Sequence, residues 1–471
     1  MISPATLARE KRFDWPLCHE SEAYVLRQVH AFQQKNPTAA VFSRRLAEET
    51  GNQLLDWIDH LILSPAEEQR VRAAGYTEDP SVATPDGLRC FWHPEAMLPR
   101  LLLAAQAHGR HGPRHPGVAP ECLALAVRCD SISDFLVAHG LEREPEGAPL
   151  TRYRQAMVSE SNGTRFCAVE RHGYAGFVPA ASTEGASQLL EATELWRTRR
   201  RVFAEDGDGF RAAHELLDRL VALAGRDLAC HAVFAVEREF WQRRNRAARV
   251  QKARQDRLGL GWANHDHHTF RSSRPHFVDL MKALEKLGFE RRERYYAGAQ
   301  AGWGAQILEQ PVEGLTAFCD VDLEQGETEI DFSRQVLPAG RKLGTIGLWV
   351  GLHGESFLDA GLHHLECRFD YQLLRDQLAG EGVSTMQPFS DFEFLKQAFT
   401  EGERWTVSPH RVERLLALGL INEEQSRTFL TGGAIGSHLE NLQRKGGFKG
   451  FNQKSVSVII QATDPRLQPA H

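Results

Sequence analysis

The hydrophobic pattern of this 471-residue chain changes near residue 258, and this change constrains the fold more than any other feature. Before it, apolar residues recur at i, i+3 and i+4, a spacing that predicts helices. After it, short strand-like segments alternate with single helices. The sequence therefore predicts an α+β protein with a mainly helical domain at 1–250 and a second domain at 251–471. The first-half segments with helical spacing are 23–34, 42–63, 96–109, 186–203 and 210–225.

The second domain contains an order of elements that begins twice. A histidine-bearing strand at 261–271 precedes an amphipathic helix at 277–289, and three short strands follow to residue 323. Strand-like segments at 345–354 and 360–370, then a helix to Gly382, begin the order again. We expect paired β-α-β-β-β modules around a metal cavity, with a helical insertion near 388–430. The Gly- and Pro-rich segment 108–117 predicts a loop.

Composition excludes several classes of protein. The net charge is −6, so a partner held by bulk positive charge, such as a nucleic acid, is not expected. No run of 18 apolar residues predicts a membrane span, and the first residues lack the apolar core of a secretory signal, so we expect a cytoplasmic protein. Eight cysteines without a C-x-x-C pair argue against zinc ribbons and disulfide scaffolds.

One segment is basic although the chain as a whole is acidic. Residues 233–257 form a strongly basic stretch that predicts a single helix with apolar residues along one edge. A helix bridging two domains is the simpler interpretation. A binding protein that uses this helix to engage a macromolecular partner is the non-enzymatic alternative.

The histidines carry the functional argument. In His265-Asp266-His267-His268, alternation along a strand places His265 and His267 on one face. In the segment 362–369, one face carries His364, Glu366 and Arg368. A row of imidazole, carboxylate and guanidinium suits a cavity that holds a metal and an anionic substrate.

A third segment adds a carboxylate. His438 and Glu440 share one face of the strand predicted at 434–441. Two histidines and one carboxylate from three separate strands form the facial triad of non-haem Fe(II) enzymes, which leaves metal positions open for substrate and O₂.

The module at 264–311 resembles the vicinal oxygen chelate superfamily. More narrowly, HHLECR at 363–368 and SHLENLQRKGGFKGFNQ at 437–453 resemble the second-histidine and glutamate segments of the 2-oxoadipate dioxygenase/decarboxylase family, also called hydroxyglutarate synthase. The resemblance covers about 258–460. It implies that His265, His364 and Glu440 bind Fe(II), and it implies a role for Arg271, the arginine that follows the first ligand, in substrate binding.

The expected function is an Fe(II)-dependent dioxygenase/decarboxylase that acts with O₂ on a small 2-oxo or hydroxy acid. Arg368 would clamp a substrate carboxylate, because a guanidinium matches a carboxylate with two parallel hydrogen bonds. His267 and Glu366 are candidates for proton transfer or for orienting a ligand. The enzyme alternative is a Zn²⁺-, Mn²⁺- or Ni²⁺-dependent isomerase, lyase or hydrolase on the same scaffold. The third ligand stays open among Glu440 and the alternatives Glu309, Asp320 and Glu366.

Overall fold

The computed structural model describes residues 15–105, 121–183, 185–296, 302–324, 326–327, 330–340, 342–386, 390–451, 460 and 464–467. The predicted loop at 108–117 lies outside these ranges. Thirteen α-helices lie within the described residues: α1 His19–Lys35, α2 Pro37–Thr50, α3 Glu68–Ala73, α4 Ile132–Ala138, α5 Ala186–Arg197, α6 Asp206–Ala224, α7 Arg226–Arg243, α8 Arg246–Asp256, α9 Phe277–Lys286, α10 Thr345–His353, α11 Tyr371–Gly380, α12 Pro409–Ala417 and α13 Glu423–Gly432.

Sixteen strands accompany these helices in the described part of the chain, and they form two mixed sheets. Seven strands build the first sheet: β1 Ile58–Leu63, β2 Thr77–Glu78, β3 Leu88–Trp92, β4 Arg100–Ala104, β5 Cys122–Arg128, β6 Tyr153–Ser161 and β7 Thr164–Arg171. Nine build the second: β8 His265–Arg271, β9 Glu290–Tyr296, β10 Trp303–Gln310, β11 Leu315–Asp322, β12 His364–Arg368, β13 Ser390–Phe392, β14 Leu395–Phe399, β15 Glu403–Trp405 and β16 Ala434–Arg444.

The second sheet confirms the paired-module topology. Its order is β13-β14-β16-β12-β8-β11-β10-β9, with β15 paired to β16. In the first module, β8 is followed by α9 and then by β9, β10 and β11, and β11 returns parallel to β8. In the second, β12 is followed by α11 and then by β13, β14 and β16, and β16 returns parallel to β12. The antiparallel pair of β8 and β12 joins the modules at the centre of the sheet.

The prediction of a mainly helical first half is wrong between residues 58 and 161, where six strands of the seven-stranded sheet lie. The sequence also predicts a strand pair at 164–181; its first strand is β7, whereas residues 174–181 form no strand. β1 and β4 fall inside segments whose spacing predicted helices. Both are short apolar runs, and Leu61, Leu101 and Leu103 are fully buried. A strand that is buried on both faces loses the polar/apolar alternation that distinguishes it from a helix, so periodicity alone misassigns it.

Three further elements differ from expectation. The apolar run predicted as a strand at 345–354 is α10. The predicted helical insertion begins with β13, β14 and β15, and only its second part forms α12 and α13. The basic stretch forms α7 and α8, because Asn245 caps a new helix by accepting a hydrogen bond from Ala248 N at 2.8 Å.

One side of the basic stretch is part of the interior, and several of its arginines are exposed. Val233, Phe234 and Trp241 of α7 are buried in the core that α7 shares with the second sheet. Glu237 of the same helix is buried between Arg199 and Arg201, with N–O distances of 2.9 and 2.8 Å. None of the described helices is both long and apolar enough to cross a membrane.

Candidate metal centre

The candidate site lies on one face of the second sheet, where β8, β12 and β16 are neighbours. His267 pairs with Glu366 across β8 and β12, and Glu366 pairs with Glu440 across β12 and β16. Neighbouring strands lie ~4.8 Å apart, so these three side chains form one row across the sheet. One potential ligand atom from each lies within 4.8 Å of the other two.

The next row on the same face contains His364. It pairs with Thr269 of β8 on one side and with His438 of β16 on the other. His364 and Glu366 therefore line the same small cavity, as the alternation along β12 predicts. The His364 and His438 ring centroids lie 5.2 Å apart. His438 Nδ1 donates a hydrogen bond to Thr400 O at 2.9 Å, which fixes the orientation of its ring.

His265 does not lie with these residues. The pairing of β8 with β12 contains an irregularity, and His267 lies opposite Glu366 whereas His265 lies opposite Cys367. One extra residue, Asp266, is therefore accommodated on β8, as in a β-bulge. Glu366 and Cys367 are consecutive and point to opposite faces, so His265 points away from the cavity. Its ring lies 5.4 Å from that of His268, which contacts Phe234 of α7.

The bulge positions the Asp266 side chain next to the His267 ring. His267 Nδ1 donates a hydrogen bond to Asp266 Oδ1 at 2.9 Å. Arg444 binds the same carboxylate through Nε and Nη2, at 2.9 and 3.0 Å. The arginine and the His267 contact hold the pKa of this buried carboxyl well below its usual range. With Nδ1 engaged, His267 presents Nε2 to the cavity, 3.5 Å from Glu366 Oε1, which is the arrangement that orients metal-binding histidines.

Glu366 and Glu440 form a buried pair of carboxyl groups. Glu366 accepts a hydrogen bond from Thr269 Oγ1 at 2.8 Å, and Glu440 accepts one from Gln397 Nε2 at 2.6 Å. Burial raises the pKa of both groups, and the charge of Glu440 raises that of Glu366 further. Two like charges so close in a dry site require a proton or a cation between them.

Arg271 and Asp320 occupy the far end of the same cavity. Arg271 Nε donates a hydrogen bond to Asp320 Oδ2 at 3.3 Å, and both side chains are buried. Burial raises the pKa of Asp320 to about 7 although the guanidinium opposes that rise. Arg271 therefore lines the same cavity as the candidate ligands, and its role in substrate binding stays a prediction.

Arg368 and Glu309 lie elsewhere. Arg368 ends β12, where its Nη2 donates a hydrogen bond to Asp56 O at 3.3 Å, and it faces a different cavity together with His265. Glu309 is paired with Arg292 and Lys449 through contacts of 2.7 and 3.0 Å. Sequence reasoning missed Arg444 and Gln397, because nothing local marks them as neighbours of the row. It noted Asp266 beside His267, but alternation placed Asp266 on the opposite face of the strand and gave it no role.

Unsatisfied polar atoms concentrate around this cavity. Buried polar atoms in proteins nearly always have hydrogen-bond partners. Five of the twelve described residues that line the cavity nevertheless have a buried side-chain atom without one. These atoms are Arg271 Nη1, Asp320 Oδ1, His364 Nδ1, Glu366 Oε2 and Gln397 Oε1. Such a set of donors and acceptors fits a site that holds a cation and a polar ligand.

The cavity is small and its outer wall is apolar. Its volume is about 50 Å³, room for three or four water-sized groups at roughly 10–15 Å³ each. The apolar part of the lining consists of Phe318, Phe399, Phe451 and Ile460.

Comparisons with known proteins were made for the whole chain. No protein-family model and no curated protein matches it. Among solved structures, a mutant 4-hydroxymandelate synthase from Streptomyces coelicolor aligns over 89% of this chain and 100% of its own, at 14% identity and a TM-score of 0.28. A methylmalonyl-CoA epimerase from Mycobacterium tuberculosis aligns over 39% of this chain and 88% of its own, at 13% identity and a TM-score of 0.22. Likeness at this level assigns neither family nor activity.

A third similar structure is a xylose isomerase-like TIM barrel/4-hydroxyphenylpyruvate dioxygenase fusion protein. It aligns over 90% of this chain and 56% of its own length, at 12% identity and a TM-score of 0.22.

Proposed function

We propose that this protein is a metal-dependent enzyme whose divalent ion is held by His267, Glu366 and Glu440, with His364 as the neighbouring donor. The observation that carries the proposal is the convergence of three buried ligand atoms from three adjacent strands, two of them on carboxyl groups that form no ion pair with an arginine or lysine among the described residues. We assign to His267 the role that sequence reasoning gave to His265, because the bulge turns His265 to the opposite face of β8.

The proposed metal is Fe(II). Imidazole and carboxylate donors suit it, and with His364 as the fourth donor the proposed set includes the two-histidine, one-carboxylate combination of non-haem oxygenases, with Glu366 as an additional carboxylate. When bound, Fe(II) would hold a 2-oxo acid next to O₂, which would accept the electrons that the 2-oxo acid gives up as it loses CO₂. Zn²⁺, Mn²⁺ or Ni²⁺ on the same ligands would support an isomerase, lyase or hydrolase instead.

The chain's own residues define the substrate class. Arg271 Nη1 is buried, lacks a hydrogen-bond partner among the described residues and faces the cavity, so it can donate to a substrate carboxylate. Asp320 holds the other side of this guanidinium. The volume of the cavity favours a short 2-oxo acid, and its phenylalanine side chains would exclude bulk water during the reaction.

The test compares two histidines on one strand. After anaerobic reconstitution with Fe(II), the parent should retain close to one ion per chain and consume O₂ with short 2-oxo acids. His267→Gln should lose most of the iron and the O₂ uptake. The matched control, His265→Gln, should retain the iron. Iron lost from the control but kept in His267→Gln would refute the ligand assignment, and bound metal without O₂ uptake on any 2-oxo acid would favour the Lewis-acid alternative.

A further inference from the structure

Two further cavities lie between the ends of the two sheets, on the side of β8 that His265 faces. Their volumes are about 300 and 430 Å³. They share Arg128, Arg171, Ala263, His265 and Glu313 as lining residues. No residue of the metal cavity lines either of them, so they form a separate site.

Three arginines bring unused hydrogen-bond donors to these adjoining cavities: Arg128 lines both, Arg238 lines the larger and Arg368 lines the smaller. The side chain of Arg238, on α7, makes no hydrogen bond or ion pair with any described residue. Among the described residues, the Arg128 side chain, at the end of β5, donates only to Glu313 O, at 3.4 Å. Within the same ranges, the Arg368 side chain, at the end of β12, donates only to Asp56 O, and its Nε is buried without a partner there. Most of the fifteen N–H donors that three guanidinium groups carry therefore have no partner in the described part of the chain.

The carboxylates nearby are already bonded, with one exception. Asp59 binds Arg171 through two hydrogen bonds of 2.6 and 2.8 Å. Glu313 lies 2.9 Å from His231 Nδ1. Asp56 is the exception, and a single carboxylate cannot satisfy three guanidinium groups. The remaining lining carboxylates are held by Trp262 N (Asp130) and by Arg197 and Arg243 (Glu239).

His265 adds an acceptor to the donors. Its Nδ1 lies 3.2 Å from Trp262 O, and because a carbonyl can only accept, Nδ1 carries the proton. Its other ring nitrogen, Nε2, is then an acceptor in a side chain that is 8% exposed and lines both cavities. The site therefore offers guanidinium donors to an anion and one acceptor to a hydroxyl group.

We propose that these cavities form a binding site for a small oxyanion with two negative charges, a dicarboxylate or a phosphate group, held by Arg128, Arg238 and Arg368. Arginine is the residue best suited to such ligands, because its planar donors match carboxylate and phosphate oxygens in pairs. The site is independent of the proposed metal chemistry.

The test uses glutarate and inorganic phosphate as probes for the two anion sources. Isothermal titration of the full chain at constant ionic strength, with chloride as the blank, should show one site with a dissociation constant below about 1 mM for at least one probe. Arg238→Gln and Arg128→Gln should each weaken binding about tenfold or more. The control, Arg219→Gln on the exposed face of α6, should bind as the parent does.

A second measurement needs no substitution. Phenylglyoxal modification of the parent, mapped by mass spectrometry, should slow at Arg238 and Arg128 when the bound anion is present and stay unchanged at Arg219. The proposal is overturned if neither probe binds with a dissociation constant below about 1 mM, if the anion protects neither arginine, or if binding is lost in Arg271→Gln but kept in Arg238→Gln. That last pattern would place the anion in the metal cavity.

Discussion

Replacing Glu366 with glutamine is expected to stabilise the metal-free protein at high pH and to weaken its metal binding. The ligand atoms of Glu366 and Glu440 lie within 4.8 Å of each other. At an effective dielectric constant of about 20, two unit charges at that distance repel by roughly 3 kcal/mol. Glutamine keeps the shape and the hydrogen bond from Thr269, and it removes one of the two charges.

The pH dependence follows from the direction of the pKa shift. Burial and the neighbouring Glu440 raise the pKa of Glu366 above its ordinary value of 4.5. The unfolded chain therefore loses this proton at lower pH than the folded chain does. The free energy of unfolding of the metal-free parent should fall as the pH rises above about 4.5. Glu366→Gln removes this contribution, so its advantage should be near zero at pH 4.5 and reach about 1–3 kcal/mol at pH 8.

Urea denaturation of chelator-treated protein at pH 4.5 and pH 8 measures the change in stability, and titration with Mn²⁺ measures the change in metal affinity. Loss of a ligand should weaken metal binding beyond the 10–100-fold typical of an outer hydrogen-bond partner. Glu309→Gln is the matched control, because Arg292 and Lys449 lower the pKa of Glu309. It should destabilise the protein at pH 8 and leave metal affinity unchanged. A Glu366→Gln protein less stable than the parent at pH 8, or one with unchanged metal affinity, would refute the reasoning.

Three other outcomes are expected. Asp266→Asn should weaken metal binding about 10–100-fold, because His267 loses its orienting carboxylate. Urea denaturation of the same variant should show a loss of about 3–5 kcal/mol in the free energy of unfolding, because Arg444 keeps a buried charge without its partner. An unchanged metal affinity and an unchanged free energy of unfolding would contradict this prediction. Arg271→Lys should raise KM for a 2-oxo acid about tenfold or more while metal content stays constant, and an unchanged KM would mean that this guanidinium does not bind substrate. The affinity of the parent for Mn²⁺ should rise with pH, by about tenfold per pH unit for each proton that the carboxyl groups of raised pKa release on binding. A flat profile between about pH 5.5 and 7.5 would show that metal binding displaces no proton.

The first module could be predicted because its signals are local. α9 has a strong apolar face and ends just before Gly288, and the three strands after it are separated by turns. The second module was predicted only in its first strand, its helix and its last strand, because β13 and β14 lie in the segment predicted as a helical insertion. Strands buried on both faces, such as β1 and β4, give no such alternation, and their assignment needs the partner strands.

The site was predictable to the level of its segments and less so to the level of atoms. The presence of His364, Glu366 and Glu440 in one region follows from alternation along β12 and β16. The exchange of His265 for His267 does not, because a bulge depends on the pairing with β12 and leaves no mark in the sequence of β8. Arg368 shares the parity of Glu366 on β12, and its position at the end of the strand turns it toward Asp56 instead.

The most direct test of the account is to locate the metal. Crystals of the protein loaded with Fe(II) under anaerobic conditions would be measured above and below the iron absorption edge. The account predicts one strong anomalous peak at roughly 2.0–2.2 Å from His267 Nε2 and from the carboxylates of Glu366 and Glu440. A peak beside His265, or iron bound in solution without any peak in this cavity, would contradict it.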